Sequence, residues 1–355
     1  MNIKGYTKTQ AQNLLYSGGL KIMTTQDPDI QNIVDEEYSD PSNYPDYVQY
    51  ALDYALTVKQ PDGQEVNYSK EMLELYFQNE DPEFDLLFDS QEEGQSYVDR
   101  YKESILADGS TVVAERVSFA PQPQSAMTII DQHTGYVKAI IGGRGTKTAS
   151  LTLNRATDST RQPGSTFKIV SSVAGLEEKV ISTGTTIYDH VKFEQIHPSP
   201  SCWKKSGHGN LHVATAIEAS CNYFFYTVGY KLGTGHNGSV NDKKGLSRLK
   251  KYADMFGLTD KSGVELQEAS PRFSTTDIVR SAIGQATHAY TPSQLSRYVT
   301  TVANNGTCYN LTLVDKVKDV SGKVILDNKA KVRNKVKIHS STWNAIHHGM
   351  YLVAN

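Results

Sequence analysis

The sequence predicts an α/β fold of the α+β type, with helices flanking antiparallel strands. Strand pairs are the first sign. Residues 127–131 and 136–141 alternate about the turn His133-Thr134-Gly135, and residues 311–318 and 323–326 meet across Ser321-Gly322, which is the pattern of β-hairpins. Helical spacing is the second. Phe167, Ile169, Val170, Val173, Ala174 and Leu176 recur at the interval that lines one face of a helix. Length is the third, since 355 residues suggest two or three domains.

The elements follow in order. Residues 7–15 read as a short helix that Gly18-Gly19 breaks, and residues 20–25 as a strand. Asp27 is a helix N-cap, with Pro28 at the first helical position, where the missing N–H is no loss. From residue 38 to about 115 the chain turns acidic, punctuated by Pro41, Pro45, Pro61 and Pro82. Inside that stretch residues 54–58 and 65–68 form a hairpin about Pro61-Asp62-Gly63, and residues 69–78 and 92–106 read as helices. Its carboxylates lack the order of a calcium loop, so a solvated acidic face is expected. Further on come a loop-rich stretch over 181–210, helices over 212–219 and 223–232, a helix C-cap at Asn304-Asn305-Gly306, and a last helix over 342–353. The expected divisions are a linker over 1–37, an acidic accessory or spacer domain over 38–120, and a third domain over 121–355.

Composition excludes several classes. The net charge is −3 and no basic cluster stands out, so no nucleic-acid partner is expected. No apolar run approaches the roughly 20 residues that span a bilayer. No signal peptide precedes the start, where Met1 leads directly into Asn2-Ile3-Lys4 as though an interior segment had been given a start codon. Cys202, Cys221 and Cys308 form neither a disulfide framework nor a metal-ligand spacing. Cys202 and Cys221 leave open a pairing in an oxidising compartment. Two buried, unreactive thiols are the simpler reading.

The chemistry centres on Arg161-Gln162-Pro163-Gly164-Ser165-Thr166-Phe167-Lys168. Pro163 and Gly164 break what precedes them, and Ser165 opens a helix. Ser165 and Lys168, three apart, share a helical face. A hydroxyl and an amine so placed can form a nucleophile–base pair, provided burial or a nearby cation depresses the lysine. Alone, the tetrapeptide reads more readily as an N-cap followed by a solvated lysine. The downstream Ser220-Cys221-Asn222 changes that, because S-x-x-K together with S-x-N is a known catalytic set.

With Asn154-Arg155-Ala156-Thr157 before it, this set resembles the active-site blocks of penicillin-binding protein transpeptidases. Ser281-Ala282-Ile283-Gly284-Gln285 and Thr291-Pro292-Ser293-Gln294-Leu295 resemble a further block of that family. The stretch from Gly18 to Gln31 resembles the linker that joins glycosyltransferase and transpeptidase domains in class A members. Cys202 to Gly209 is more similar to class B. Class A is the expected type, which implies a membrane anchor and a glycosyltransferase domain upstream.

The resemblance implies the serine β-lactamase-like fold and the peptidoglycan D,D-transpeptidase reaction on the outer face of the cytoplasmic membrane. Stem peptides would be the substrates and β-lactams the inhibitors, with no cofactor and no metal. Ser165 would be the nucleophile, Lys168 its base, Ser220 a proton relay, and Asn222 a hydrogen-bonding group for substrate or lysine. Gln285 would help bind substrate. A D,D-carboxypeptidase or β-lactamase, or a β-lactam sensor that does not turn over, shares these motifs and stays open. The family's K-T-G strand, which completes the oxyanion hole, is expected after a helix such as 342–353, so the chain reads as ending before the last strands of its catalytic domain. Lys261-Ser262-Gly263 reads as a turn rather than that motif. His208, between glycines, reads as a local hydrogen-bonding residue rather than a base.

Overall fold

A computed structural model describes residues 6–145, 147, 152–234 and 238–355; the start at Met1–Lys4 lies outside them. The chain divides into two compact units. One takes residues 1–31, 127–142 and 153–355, the other residues 32–126 and 143–152.

Helix α1 (Lys8–Ser17) starts at a capping box between Thr7 and Gln10. Strand β1 (Lys21–Thr24) follows, then helix α2 (Pro28–Ser39), whose first N–H groups bond the Asp27 carboxylate. The segment expected to be a linker is tied into the first unit. β1 pairs antiparallel with a late strand, Met23 opposite Lys316, and the Thr25 hydroxyl donates to the carbonyls of Val137 and Thr312. That pairing spans most of the sequence, so no local pattern could announce it.

The second unit is a sheet backed by two helices. Strands β2 (Gln49–Lys59) and β3 (Glu65–Ser69) form the expected hairpin, Val58 opposite Val66. Helix α3 (Lys70–Gln78) follows, then β4 (Leu87–Phe88), helix α4 (Gln91–Ile105) and β5 (Thr111–Gln122). β5 pairs along the whole of β2, Tyr54 opposite Val117. The sequence reading missed β5, because its outer residues Thr111 to Arg116 are exposed and give no apolar alternation. Leu52, Tyr54, Leu56 and Val58 of β2 bury one face against Leu73, Phe77, Val98 and Tyr101.

In the first unit β6 (Met127–Ile130) and β7 (Val137–Ile141) form the hairpin. Helix α5 (Arg155–Asp158) is capped by the Asn154 side chain. A 3-10 turn over Gly164–Phe167 then feeds helix α6 (Lys168–Glu177). The loop-rich stretch contains one small pair, β8 (Ile187–Asp189) and β9 (Gly209–Leu211). Helices α7 (Val213–Glu218), α8 (Asn222–Gly233) and α9 (Asp242–Met255) come next. They are followed by α10 (Ile278–Ser281) and α11 (Pro292–Ala303). Strands β10 (Thr307–Tyr309), β11 (Val314–Lys318), β12 (Val324–Asp327) and β13 (Val332–Lys335) lead to helix α12 (Ser340–Ala354). β11 and β12 are the second expected hairpin.

The core of this unit is helical. Val170 and Val173 of α6 pack with Phe224, Phe225 and Val228 of α8, Ile278 of α10 and Ile346 of α12. Among the described residues no helix is long and apolar enough to cross a membrane.

Candidate active site

α6 is buried almost throughout, from Lys168 to Gly175. Its first residue is therefore drawn into the core with its amine, and Lys168 is only 2% exposed. Ser165, in contrast, is exposed in the turn just before it. The helix does not begin at Ser165, as the sequence suggested. It begins at Lys168, whose backbone N–H bonds the Ser165 carbonyl. The tighter turn results because Pro163 and Gly164 set the entry, with Gly164 at φ 55°.

That entry is clamped by the Ser281–Gln285 block. Gly164 N–H donates to Gly284 O at 3.1 Å, and Arg161 exchanges both backbone bonds with Tyr290. The Gln162 side chain donates to Ala286 O at 2.7 Å. Tyr298, buried on α11, donates its hydroxyl to Thr166 O at 2.8 Å. Gly284 sits at φ 75°, and a Cβ there would lie 2.0 Å from Gly164 O. Gln285 is exposed just beyond it, and its backbone N–H closes on Arg280 O.

The structure brings Lys168, Ser220 and Asn222 together. The Lys168 ammonium donates to Ser220 O at 2.7 Å, Ser220 Oγ at 3.0 Å and Asn222 Oδ1 at 2.7 Å. The Phe225 ring lies 5.6 Å from Nζ. Ser220 reaches this position through a left-handed backbone, φ 46°, a conformation that costs a residue with a Cβ and clusters at functional sites. Burial pulls the lysine down to about 8 from 10.5, against the thiols of Cys221 and Cys202, which raise it. Three acceptors favour the ammonium, yet desolvation outweighs them. Ser165 and Lys168 sit in one turn, three residues apart, and among the described residues no hydrogen bond joins Ser165 Oγ to Nζ; a nucleophile–base bond is often long without substrate.

A second cluster touches the first. Sequence reading found no metal ligands, because its four donors come singly from a strand, two loop positions and a helix cap. Asp189, Cys202, His208 and Cys221 present donor atoms all within 4.8 Å of one another. His208 Nδ1 lies 2.8 Å from Asp189 Oδ2 and 3.5 Å from Cys202 Sγ. The two sulfurs are 3.8 Å apart, the spacing of two thiolates on one tetrahedral zinc with Zn–S of about 2.3 Å. The bond from Cys221 draws the Cys202 thiol down to about 5, while that bond and burial push the Cys221 thiol up. The donor set suits a zinc ion. Bound there, it would tie the strand β8 loop to the turn that carries Ser220 and Asn222.

Lys261-Ser262-Gly263 lies elsewhere. Ser262 N–H is held by the buried Glu268 carboxylate at 2.8 Å, and Arg297 takes Lys261 O at 2.9 Å.

Residues 125–355 match the family described as the penicillin binding protein transpeptidase domain. The chain belongs to that family. It is 28% identical over 269 residues to the peptidoglycan D,D-transpeptidase MrdA of Escherichia coli K12, covering 65% of this chain and 40% of that protein. It is 29% identical over 200 residues to stage V sporulation protein D of Bacillus subtilis, covering 54% of this chain and 29% of that one. Its fold matches penicillin-binding protein 2B of Streptococcus pneumoniae R6 with a TM-score of 0.55 at 25% identity, over 65% of this chain and 40% of that one. The chain thus spans 40% or less of the length of these proteins.

Proposed function

We propose that this chain carries the acyl-transfer site of a peptidoglycan D,D-transpeptidase. The observation that carries the reading is the buried Lys168, held by Ser220 and Asn222 one turn from an exposed Ser165. Neutral Lys168 accepts the Ser165 hydroxyl proton, and the oxygen attacks the carbonyl of the penultimate D-alanine. The C–N bond breaks, the departing D-alanine amine takes a proton relayed through Ser220, and an acyl-enzyme remains. An amine of a neighbouring stem peptide displaces Ser165 and makes the cross-link. Asn222 orients the lysine and the substrate amide, and Gln285 lines the donor site beside the serine turn. Ser165 N–H is one oxyanion donor; the second belongs to a K-T-G strand, and losing one such donor costs about 100- to 1000-fold in rate.

The relatives are class B proteins, and with the Cys202–Gly209 stretch they favour class B over the class A type expected from the Gly18–Gln31 segment. The parent protein then works at the outer face of the cytoplasmic membrane, held by an anchor, on stem peptides and open to β-lactams.

Intact-mass spectrometry after exposure to a penicillin tests the reading. One penicilloyl adduct on the chain and none on Ser165→Ala is the expected result. A folded chain that takes no adduct overturns it. Transfer of the acyl group to an added amine separates cross-linking from simple hydrolysis.

A further inference from the structure

Trp203 is 62% exposed, an unusual place for a ring that gains so much from burial. It is nonetheless fixed at two points. Its indole N–H donates to Ser220 O at 3.1 Å and Ala219 O at 3.3 Å. Its ring stands edge-on to His208, centroids 5.1 Å apart at 66°, and His208 is itself held by Asp189. The Ser220 carbonyl that accepts Trp203 also accepts Lys168. The indole therefore stands one shared acceptor away from the amine of the acyl-transfer site, and most of the residue stays exposed.

We infer that Trp203 is a positioning and specificity residue for the acyl donor. Its indole N–H fixes the Ser220 carbonyl, and its open ring face is the wall against which the apolar part of the donor lies. The donor class is a peptide ending in D-alanyl-D-alanine, or the side chain of a β-lactam that imitates it. This inference rests on the transpeptidase reading. An aromatic held by its polar edge offers area at little entropic cost, and a ring contact of this kind is worth about two- to tenfold in affinity.

The chain has two tryptophans, so Trp343→Phe leaves Trp203 as sole reporter. On adding a penicillin, Trp203 emission is expected to change in step with the Ser165 adduct. Trp203→Phe keeps a ring and loses the N–H. It is expected to hold affinity within about twofold while acylation slows several-fold. Trp203→Ala is expected to lose affinity as well, and Phe at this position to rescue it. An adduct that forms with unchanged emission, and at wild-type rate and affinity in both variants, overturns the inference and leaves the transpeptidase reading intact. If a folded chain takes no adduct, that reading is what fails. Trp203 is then judged with a D-alanyl-D-alanine peptide alone: a saturable emission change supports the inference, and none overturns it.

Discussion

In the proposed reaction Lys168 concentrates the chemistry in one side chain. At pH 7 a lysine depressed to about 8 has roughly a tenth of its population neutral, against far less than a hundredth for a free one. The penicillin acylation rate is therefore expected to rise through neutral pH and level off above about 8, and Lys168→Met to lose about 100-fold or more, the usual scale of a missing general base. Stability carries the same signature. The unfolded chain keeps this proton up to about 10.5, while the folded chain releases it near 8. Between those values the unfolded state binds more protons, so stability rises with pH. Melting temperature measured from pH 7 to 10 should climb for the wild type relative to Lys168→Met. A flat difference would mean that the amine is not held as described.

The serine turn shows how elements position that residue. Gly284 approaches Gly164 so closely that a methyl has no room, and its φ of 75° resists any side chain. Gly284→Ala is expected to cost about 1–3 kcal/mol or more and to slow acylation by displacing Ser165; thermal melts and the adduct rate read the two effects. The adjoining Asp189, Cys202, His208 and Cys221 cluster meets the lysine through the turn at Ser220, since Cys221 lies between the two residues that hold its amine. Zinc added to the reduced chain is expected to raise its melting temperature, and Cys221→Ser to abolish the rise. The local signals for these elements were plain where a residue acts on its neighbours, as with Asp27 and Pro28 at the start of α2. They were silent where the partner is remote. Four single donors gathered from residues 189–221 leave no spacing to read, and β5 hides because its outer half faces water.

Each unit has its own hydrophobic core, so the molecule need not unfold as one. Val98 is fully buried in the second unit's core. Val98→Ala removes two methyl groups and is expected to cost that unit about 2–3 kcal/mol while penicillin acylation at Ser165 stays unchanged; denaturant melts beside adduct counting check both. The sequence by itself determined the hairpins and helix caps and held the residues of the proposed site, Ser165 with Lys168 and Ser220 with Asn222, because spacing and capping act over a few residues. It also carried the family, through blocks in fixed order. Only the tertiary structure decided that Lys168 is buried and depressed and that its amine is held by residues 52 and 54 positions away. It alone paired Lys21–Thr24 with Val314–Lys318. Desolvation and strand pairing depend on which distant residues share a neighbourhood, and no local pattern contains that.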